Sequence, residues 1–203
     1  MRIKTCLAIC ILLCLCVIIN VANGGSACSD VTYVTRDEWN ARDPKARVDM
    51  VNPLGFAVVH HTAGSECTTP DDCAQEVRNM QNYHMDGHGW DDIGYNLVIG
   101  GDERVYIGRG WDTVGAHAGS TFFNQNSVGI TIIGDYTNKL PTDGVLRVLK
   151  QLLVCGVESG HLTEQYLLRG HRDVRESGPT ACPGDTLYPE IQTWPHFLEQ
   201  CPD

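Results

Sequence analysis

The chain has 203 residues, of which 42% are hydrophobic, and this length suits one ordinary domain or two very small ones. With 25 acidic against 15 basic residues, its formal net charge is −10. This charge argues against nucleic acid as a partner, because affinity for phosphates comes mainly from lysine and arginine, and it disfavours adsorption to anionic membranes.

The first two dozen residues have the layout of a secretory signal peptide. Arg2 and Lys4 form a short positive region, an apolar run covers residues 6–21, and small or polar residues follow at 22–26. A single transmembrane anchor is the alternative, but the apolar run is short for a membrane span. We therefore expect residues 1–24 to be a signal peptide and residues 25–203 to form one secreted domain without a membrane segment.

Strands and helices are predicted in alternation after this segment. A β-branched apolar run at 55–60 predicts a buried strand, and a helical period with two acidic residues in its first turn follows at 71–84. The later predicted elements are a hairpin of 95–99 with 104–107, a strand at 128–133, and helices at 145–157 and 187–199. This order predicts an α/β domain with a central mixed β-sheet flanked by helices.

Six of the ten cysteines lie after the predicted signal peptide, where an oxidising compartment favours disulfides. They are Cys28, Cys67, Cys73, Cys155, Cys182 and Cys201. Cys67 and Cys73 are close enough in sequence to clip a loop just before the first helix. If Cys182 serves as a metal ligand, one of the other five has no partner within the chain.

Two histidines and one cysteine form a candidate metal site. His60 ends the first predicted strand, and His171 and Cys182 lie in distant loops. Two imidazoles and a thiolate with an open fourth position are a catalytic zinc ligand set, in which bound water ionises near pH 7. The pattern alone is weak, because many histidine and cysteine triples exist in this chain. Alternatively, Cys182 could be a nucleophile with His171 as its base, which leaves His60 without a role.

Five sequence blocks resemble the peptidoglycan recognition proteins, which are animal innate-immunity relatives of the phage-type zinc amidases. The resemblance runs in order from about residue 31 to residue 197. The blocks are VHHTAG at 59–64, GWDDIGYN at 89–96, GRGW at 108–111, GAH at 115–117 and GHRD at 170–173. The family fold, a central mixed sheet flanked by helices, agrees with the pattern of predicted elements.

By position, the resemblance implies zinc ligands at His60, His171 and Cys182. It also implies that Tyr95 and Thr180 face the reacting centre, where their hydroxyls can donate to a developing oxyanion or to water. Non-catalytic members commonly lack the cysteine or the first histidine, and this chain keeps both. The resemblance therefore implies an N-acetylmuramoyl-L-alanine amidase of innate immunity. The alternatives are a secreted receptor with slow or absent hydrolysis and antibacterial action through binding alone.

The same resemblance implies a groove for bacterial peptidoglycan and muramyl-peptides. Its expected residues are His61, Thr62, His84, Gly89, Trp90, Asn96, Arg109 and His117. The Gly89-Trp90 pair with Arg109 resembles members that prefer meso-diaminopimelate stems, because a guanidinium can clasp the extra carboxylate with two charge-assisted hydrogen bonds.

Two disulfides are also implied by the resemblance. Cys67–Cys73 matches the bridge after the zinc-binding strand, and Cys28–Cys155 matches a second bridge of vertebrate members. Cys201 has no family counterpart, and it could pair with Cys28 instead, form a dimer or stay free.

Overall fold

A mixed six-stranded sheet runs through the centre of the molecule in the computed structural model, which describes residues 26–197. The strands are β1 (Tyr33–Val34), β2 (Leu54–His61), β3 (Leu97–Ile99), β4 (Val105–Ile107), β5 (Ser127–Ile132) and β6 (Leu162–Gly170). Their order is β1-β4-β3-β5-β2-β6, in which only β3 and β4 run antiparallel among the neighbouring pairs. The predicted α/β class with a central mixed sheet is confirmed. The predicted signal peptide and Cys201 lie outside the described residues.

Helices cover both faces of this sheet. They are α1 (Pro70–Asn82), α2 (Thr121–Asn126), α3 (Asp143–Glu158), α4 (His171–Val174) and α5 (Leu187–Gln192), with a 3-10 helix at Ala27–Asp30 and a π-helical turn at Tyr83–Gly87 that continues α1. The two long helices begin at side-chain caps, where Thr69 accepts from the Asp72 amide and Thr142 accepts from the Val145 amide. Across residues 26–197, no helix has both the length and the apolar character needed to cross a membrane.

Successive side chains of β2 point to opposite faces of the sheet. Ala57 and Val59 belong to the large core that α3 covers, whereas Val58 packs with Val174 of α4 on the other face. Because side chains of a strand alternate with a period of two, His60 shares the face of Val58 and His61 shares the face of Val59. The strand therefore sends its two adjacent histidines in opposite directions.

The predicted element bounds agree with the structure except at the carboxyl end. The helix predicted at 187–199 is wrong in length, since α5 ends at Gln192. Pro195 disfavours a helical conformation at the residue before it. His196 has a φ of +70°, which is outside the helical region, and Phe197 forms an isolated β-bridge with Leu168. Strand β6 was not predicted from the sequence.

Both predicted disulfides are confirmed. Cys28 bonds to Cys155 and so ties the 3-10 helix to α3, and Cys67 bonds to Cys73 at the start of α1. The alternative pairing of Cys28 with Cys201 is therefore wrong. Cys182 is the free cysteine of the described residues, and it is buried.

Candidate metal centre

Two of the predicted ligands follow directly from the pairing of adjacent parallel strands. Val59 of β2 is the partner of Gly170, the last residue of β6, so the residues that follow them, His60 in β2 and His171 at the start of α4, lie at the same end of the two strands. Their ring centroids are 4.4 Å apart. Both side chains are buried, His60 completely.

Cys182 reaches the same place from the loop after α4. The Arg172 amide donates to the Cys182 carbonyl oxygen at 3.1 Å, which holds this loop against the helix. The His61 amide donates to Cys182 Sγ at 3.4 Å, and the sulfur lies 3.8 Å from His60 Nδ1. The backbone of β2 therefore positions the sulfur beside the first histidine.

The donor set and its spacing fit a zinc ion. One candidate ligand atom from each of His60, His171 and Cys182 lies within 4.8 Å of the other two. Among residues 26–197, this is the group of histidine, cysteine and acidic side chains that could hold a metal ion. Zn–N and Zn–S bonds in a tetrahedral shell place the ligand atoms roughly 3.5 Å apart, so only a small contraction is needed. His171 Nε2 is buried without a hydrogen-bond partner in the described part of the chain. This orphaned nitrogen is available for a metal.

The electrostatics favour the neutral imidazoles that ligate metals. Burial lowers the pKa of His171 to about 4, and burial together with the neighbouring histidines holds the pKa of His60 well below its ordinary value. Burial raises the pKa of the Cys182 thiol to about 12. The cysteine-amidase alternative gives no role to His60, although His60 Nδ1 lies 3.8 Å from the Cys182 sulfur.

A cavity of about 450 Å³ opens beside these residues. His171, Tyr95 and His117 contribute to its wall, so one of the three candidate ligands, His171, is exposed to the cavity. The other lining residues are His84, His88, Trp90, Gly94, Ala116, Gly119, Asn124, Arg175 and Ser177. The volume is within the range of small-molecule sites, about 300–1,000 Å³.

Tyr95 lines the cavity and lies close to His60. The ring centroids of Tyr95 and His60 are 5.3 Å apart. Burial, and after it the nearby Cys182 sulfur, raises the pKa of the Tyr95 phenol above its ordinary value. The hydroxyl therefore keeps its proton and can donate a hydrogen bond beside the candidate metal centre.

Stacked rings form one wall of the cavity. The Trp90 indole stacks with His84 at 4.9 Å and with His88 at 5.0 Å between ring centroids. Gly89 adopts a φ of +72°, a conformation that glycine reaches at low cost, just before the chain enters this wall. Flat, partly polar rings suit a ligand that carries both apolar faces and hydrogen-bonding groups.

The sequence matches the model of a family described as N-acetylmuramoyl-L-alanine amidase over residues 50–185. The chain is also 44% identical to peptidoglycan recognition protein 1 of Bos indicus, over 85% of this chain and 89% of that protein. The chain belongs to this amidase family, among the peptidoglycan recognition proteins.

Solved structures of other family members have the same fold. The Drosophila PGRP-LB structure matches with a TM-score of 0.78 and 40% identity, covering 83% of this chain and 96% of that one. A structure of peptidoglycan recognition protein-LE in complex with tracheal cytotoxin, described as a monomeric diaminopimelic acid-type peptidoglycan, matches with a TM-score of 0.77 and 38% identity. It covers 84% of this chain and 96% of that one.

In the present protein, Asn96 is buried and is not among the residues that line the cavity. Its side chain is completely buried, and its amide nitrogen donates to the carbonyl oxygens of Gly110 and Thr113 at 2.8 Å each. Its amide oxygen accepts from the Gly129 amide at 2.9 Å. These bonds give Asn96 a structural role, in which it ties the 108–113 loop to β5, and its expected contact with substrate stays a prediction.

His61 and Thr62 are not among the residues that line the cavity either. His61 lies on the α3 side of β2, where its Nδ1 accepts from the Tyr136 amide at 3.2 Å. The Thr62 hydroxyl accepts from the Gly134 amide at 2.9 Å. The alternation of β2 explains the position of His61, and the groove contacts expected for both residues stay predictions.

Thr180 and Arg109 are near the site but do not line the cavity. The Thr180 hydroxyl accepts from the Cys182 amide at 3.2 Å, so it supports the ligand loop. Arg109 Nε donates to the Ile93 carbonyl oxygen at 2.7 Å and Nη1 donates to the Val114 carbonyl oxygen at 2.9 Å. These bonds fix the plane of the guanidinium.

Seven of the twelve lining residues were not identified from the sequence: His88, Gly94, Ala116, Gly119, Asn124, Arg175 and Ser177. His88 follows His84 by four residues, a spacing that places two side chains on one side of a helical segment, and this signal could have revealed it. Arg175 and Ser177 lie in the segment after α4, and nothing in the sequence pattern marks them as cavity residues.

Proposed function

We propose that this protein is a zinc-dependent N-acetylmuramoyl-L-alanine amidase. Its substrate is bacterial peptidoglycan, in which it hydrolyses the amide bond between the lactyl group of muramic acid and the stem peptide. The observation that carries the proposal is the buried group of His60, His171 and Cys182, of which His171 lines a cavity of about 450 Å³. Zinc bound there would supply Lewis acidity and an activated water.

The protein's own side chains have separate tasks in this reaction. Tyr95 donates its hydroxyl hydrogen to the amide oxygen as negative charge develops there, and such a donor acts most strongly in the transition state. Trp90, with the two histidines stacked on it, binds the faces of the muramyl-peptide. Thr180 supports the backbone of the Cys182 loop through its hydroxyl.

The decisive experiment incubates the zinc-loaded protein with a diaminopimelate muramyl-peptide and detects free stem peptide by mass spectrometry. The matched control is Cys182→Ser, which keeps the size of the side chain but removes the thiolate. We expect release by the parent protein, and no release by the variant or after chelation. Release by Cys182→Ser at the parent rate would overturn the zinc mechanism.

A receptor function is the second candidate, and the names of relatives support it. They are called recognition proteins, and one solved relative is described in complex with tracheal cytotoxin. Tight binding of the muramyl-peptide without release of stem peptide, with zinc present, would establish the receptor. Isothermal titration calorimetry with Cys182→Ser measures the binding separately from the reaction.

We further propose a preference for meso-diaminopimelate stems. The diaminopimelic acid-type ligand described for a relative supports this preference, together with the Gly89-Trp90 pair and Arg109 in the sequence. Arg109→Ala is expected to weaken binding of diaminopimelate fragments by about 10–100-fold, since a charge-assisted bond to a carboxylate contributes roughly 1.5–3 kcal/mol. Lysine fragments should be affected much less. Equal losses on the two fragments would refute the assignment.

Secretion into an extracellular, immune setting completes the proposal. The signal-like layout of residues 1–24 and the two disulfides support export. Expression of the full chain in animal cells should release a product whose first residue, measured by mass spectrometry, lies near residue 25. Retention of the uncleaved chain in the membrane would favour the anchor alternative.

A further inference from the structure

We propose that His117 is the positioning residue that determines which ring nitrogen of His60 faces the metal. The inference rests on the proposed zinc site, but it does not depend on catalysis. It assigns to His117 a role other than the substrate contact expected from the sequence.

The contacts of the His60 ring are different at its two nitrogens. Nδ1 lies 3.8 Å from Cys182 Sγ, on the side of the ligand group. Nε2 lies 3.0 Å from His117 Nδ1. A neutral imidazole carries one hydrogen, and a nitrogen that binds a metal cannot hold it. The hydrogen of His60 is therefore on Nε2, which donates to His117 Nδ1.

This assignment fixes the tautomer of His117 as well. Because its Nδ1 accepts, the hydrogen of the neutral His117 ring is on Nε2. His117 Nε2 is buried and has no hydrogen-bond partner among the described residues, so the ring is held through Nδ1. A chain of two imidazoles then holds one orientation of His60, as outer hydrogen-bond partners commonly do for metal-binding histidines.

The surroundings of His117 hold its ring firmly in place. A Cβ atom added at Gly129 would lie 2.3 Å from His117 Cδ2, and one added at Gly115 would lie 2.5 Å from the same atom. The amides of His117 and Ala118 both donate to Asn124 Oδ1 at 2.9 Å. Two glycines and one asparagine thus create a closely fitted position for the ring, which is 6% exposed.

Two substitutions of His117 separate a positioning role from a merely structural one. Asparagine places its amide oxygen close to the position of Nδ1 and can accept from His60 Nε2, whereas leucine fills similar space without an acceptor. Zinc affinity is measured by competition with a chromophoric chelator. We expect His117→Leu to bind zinc about 10–100-fold more weakly than the parent protein, and His117→Asn to recover most of the loss.

The control is His88→Leu, in a histidine of the same cavity whose ring contacts are Tyr83, His84 and Trp90. It should bind zinc like the parent protein. Zinc binding by His117→Leu at parental affinity, or an equal loss in His117→Asn, would overturn the proposal.

Nitrogen-15 NMR of the zinc-loaded parent protein tests the same assignment without any substitution. Long-range proton–nitrogen spectra show which ring nitrogen carries hydrogen, and we expect Nε2 on both His60 and His117. The opposite tautomer of His60 would overturn the proposal even if the leucine variant fails to fold. Failure of the parent protein to bind zinc would overturn it together with the zinc mechanism, whereas zinc binding without hydrolysis would overturn the amidase alone.

Discussion

Asn96→Ala is expected to destabilise the fold strongly, although a groove residue at this position would affect only ligand binding. The substitution removes two bonds donated to the carbonyl oxygens of Gly110 and Thr113 and one bond accepted from the Gly129 amide. Each buried group left without a partner costs about 1–3 kcal/mol, and water entering the space recovers part of this cost. We therefore expect the free energy of unfolding to fall by about 3–5 kcal/mol.

Urea denaturation followed by circular dichroism, with the disulfides intact, measures this loss. The control is Asn126→Ala, because Asn126 is an exposed asparagine whose amide nitrogen donates to the Phe122 carbonyl oxygen. Its unfolding free energy should change by no more than about 0.5 kcal/mol. A loss below about 1 kcal/mol in Asn96→Ala, accompanied by weaker binding of muramyl-peptides, would refute the structural role and restore the groove assignment.

The remaining predictions concern one catalytic donor, one buried histidine and the two disulfides. Tyr95→Phe should lower the rate of stem-peptide release by roughly 10²–10³-fold with zinc affinity unchanged, and an unchanged rate would exclude Tyr95 as the donor. Burial lowers the pKa of His84 from 6.5 to about 4. As the pH falls below 6.5, His84 therefore takes up a proton in the unfolded chain before it does so in the folded protein. Parent stability should therefore fall relative to His84→Gln by up to about 3 kcal/mol between pH 7 and pH 4 in urea titrations, and parallel pH profiles would contradict this. Removal of the Cys28–Cys155 bridge, which spans 127 residues, should cost about 5 kcal/mol, and removal of the Cys67–Cys73 bridge, which spans 6, about 2 kcal/mol. The reverse order in calorimetric melting would contradict the loop-entropy reasoning.

Much of the fold could be predicted from local signals in the sequence. Helix α3 was predicted at 145–157 and spans Asp143–Glu158, because Thr142 provides the cap and an apolar stripe faces the sheet. Strand β6 gave a weaker signal. It lies at the edge of the sheet and its middle carries the exposed residues Glu164 and Gln165, so its sequence lacks a continuous apolar run.

The candidate site was predictable only through family resemblance. Cys182 is 122 residues from His60 in sequence, and nothing local connects them. They meet because β2 and β6 pair in parallel and because the loop after α4 is bonded back to the helix. Such long-range pairing is a property of the tertiary structure, and spacing along the chain does not reveal it.

The two adjacent histidines at 60 and 61 show where elementary strand geometry could have improved the prediction. A buried strand with Ala57 and Val59 under α3 must direct position 60 to the opposite face and position 61 to the α3 face. Both histidines were expected at the site, one as a metal ligand and one in the groove, and a single strand face cannot hold both. A shift of one residue in the pairing of β2 would exchange their places and would also bring Val58 under α3. The packing of Ala57 and Val59 in the main core therefore selects His60 as the residue that faces His171, and the chemistry of the site depends on the register of the core.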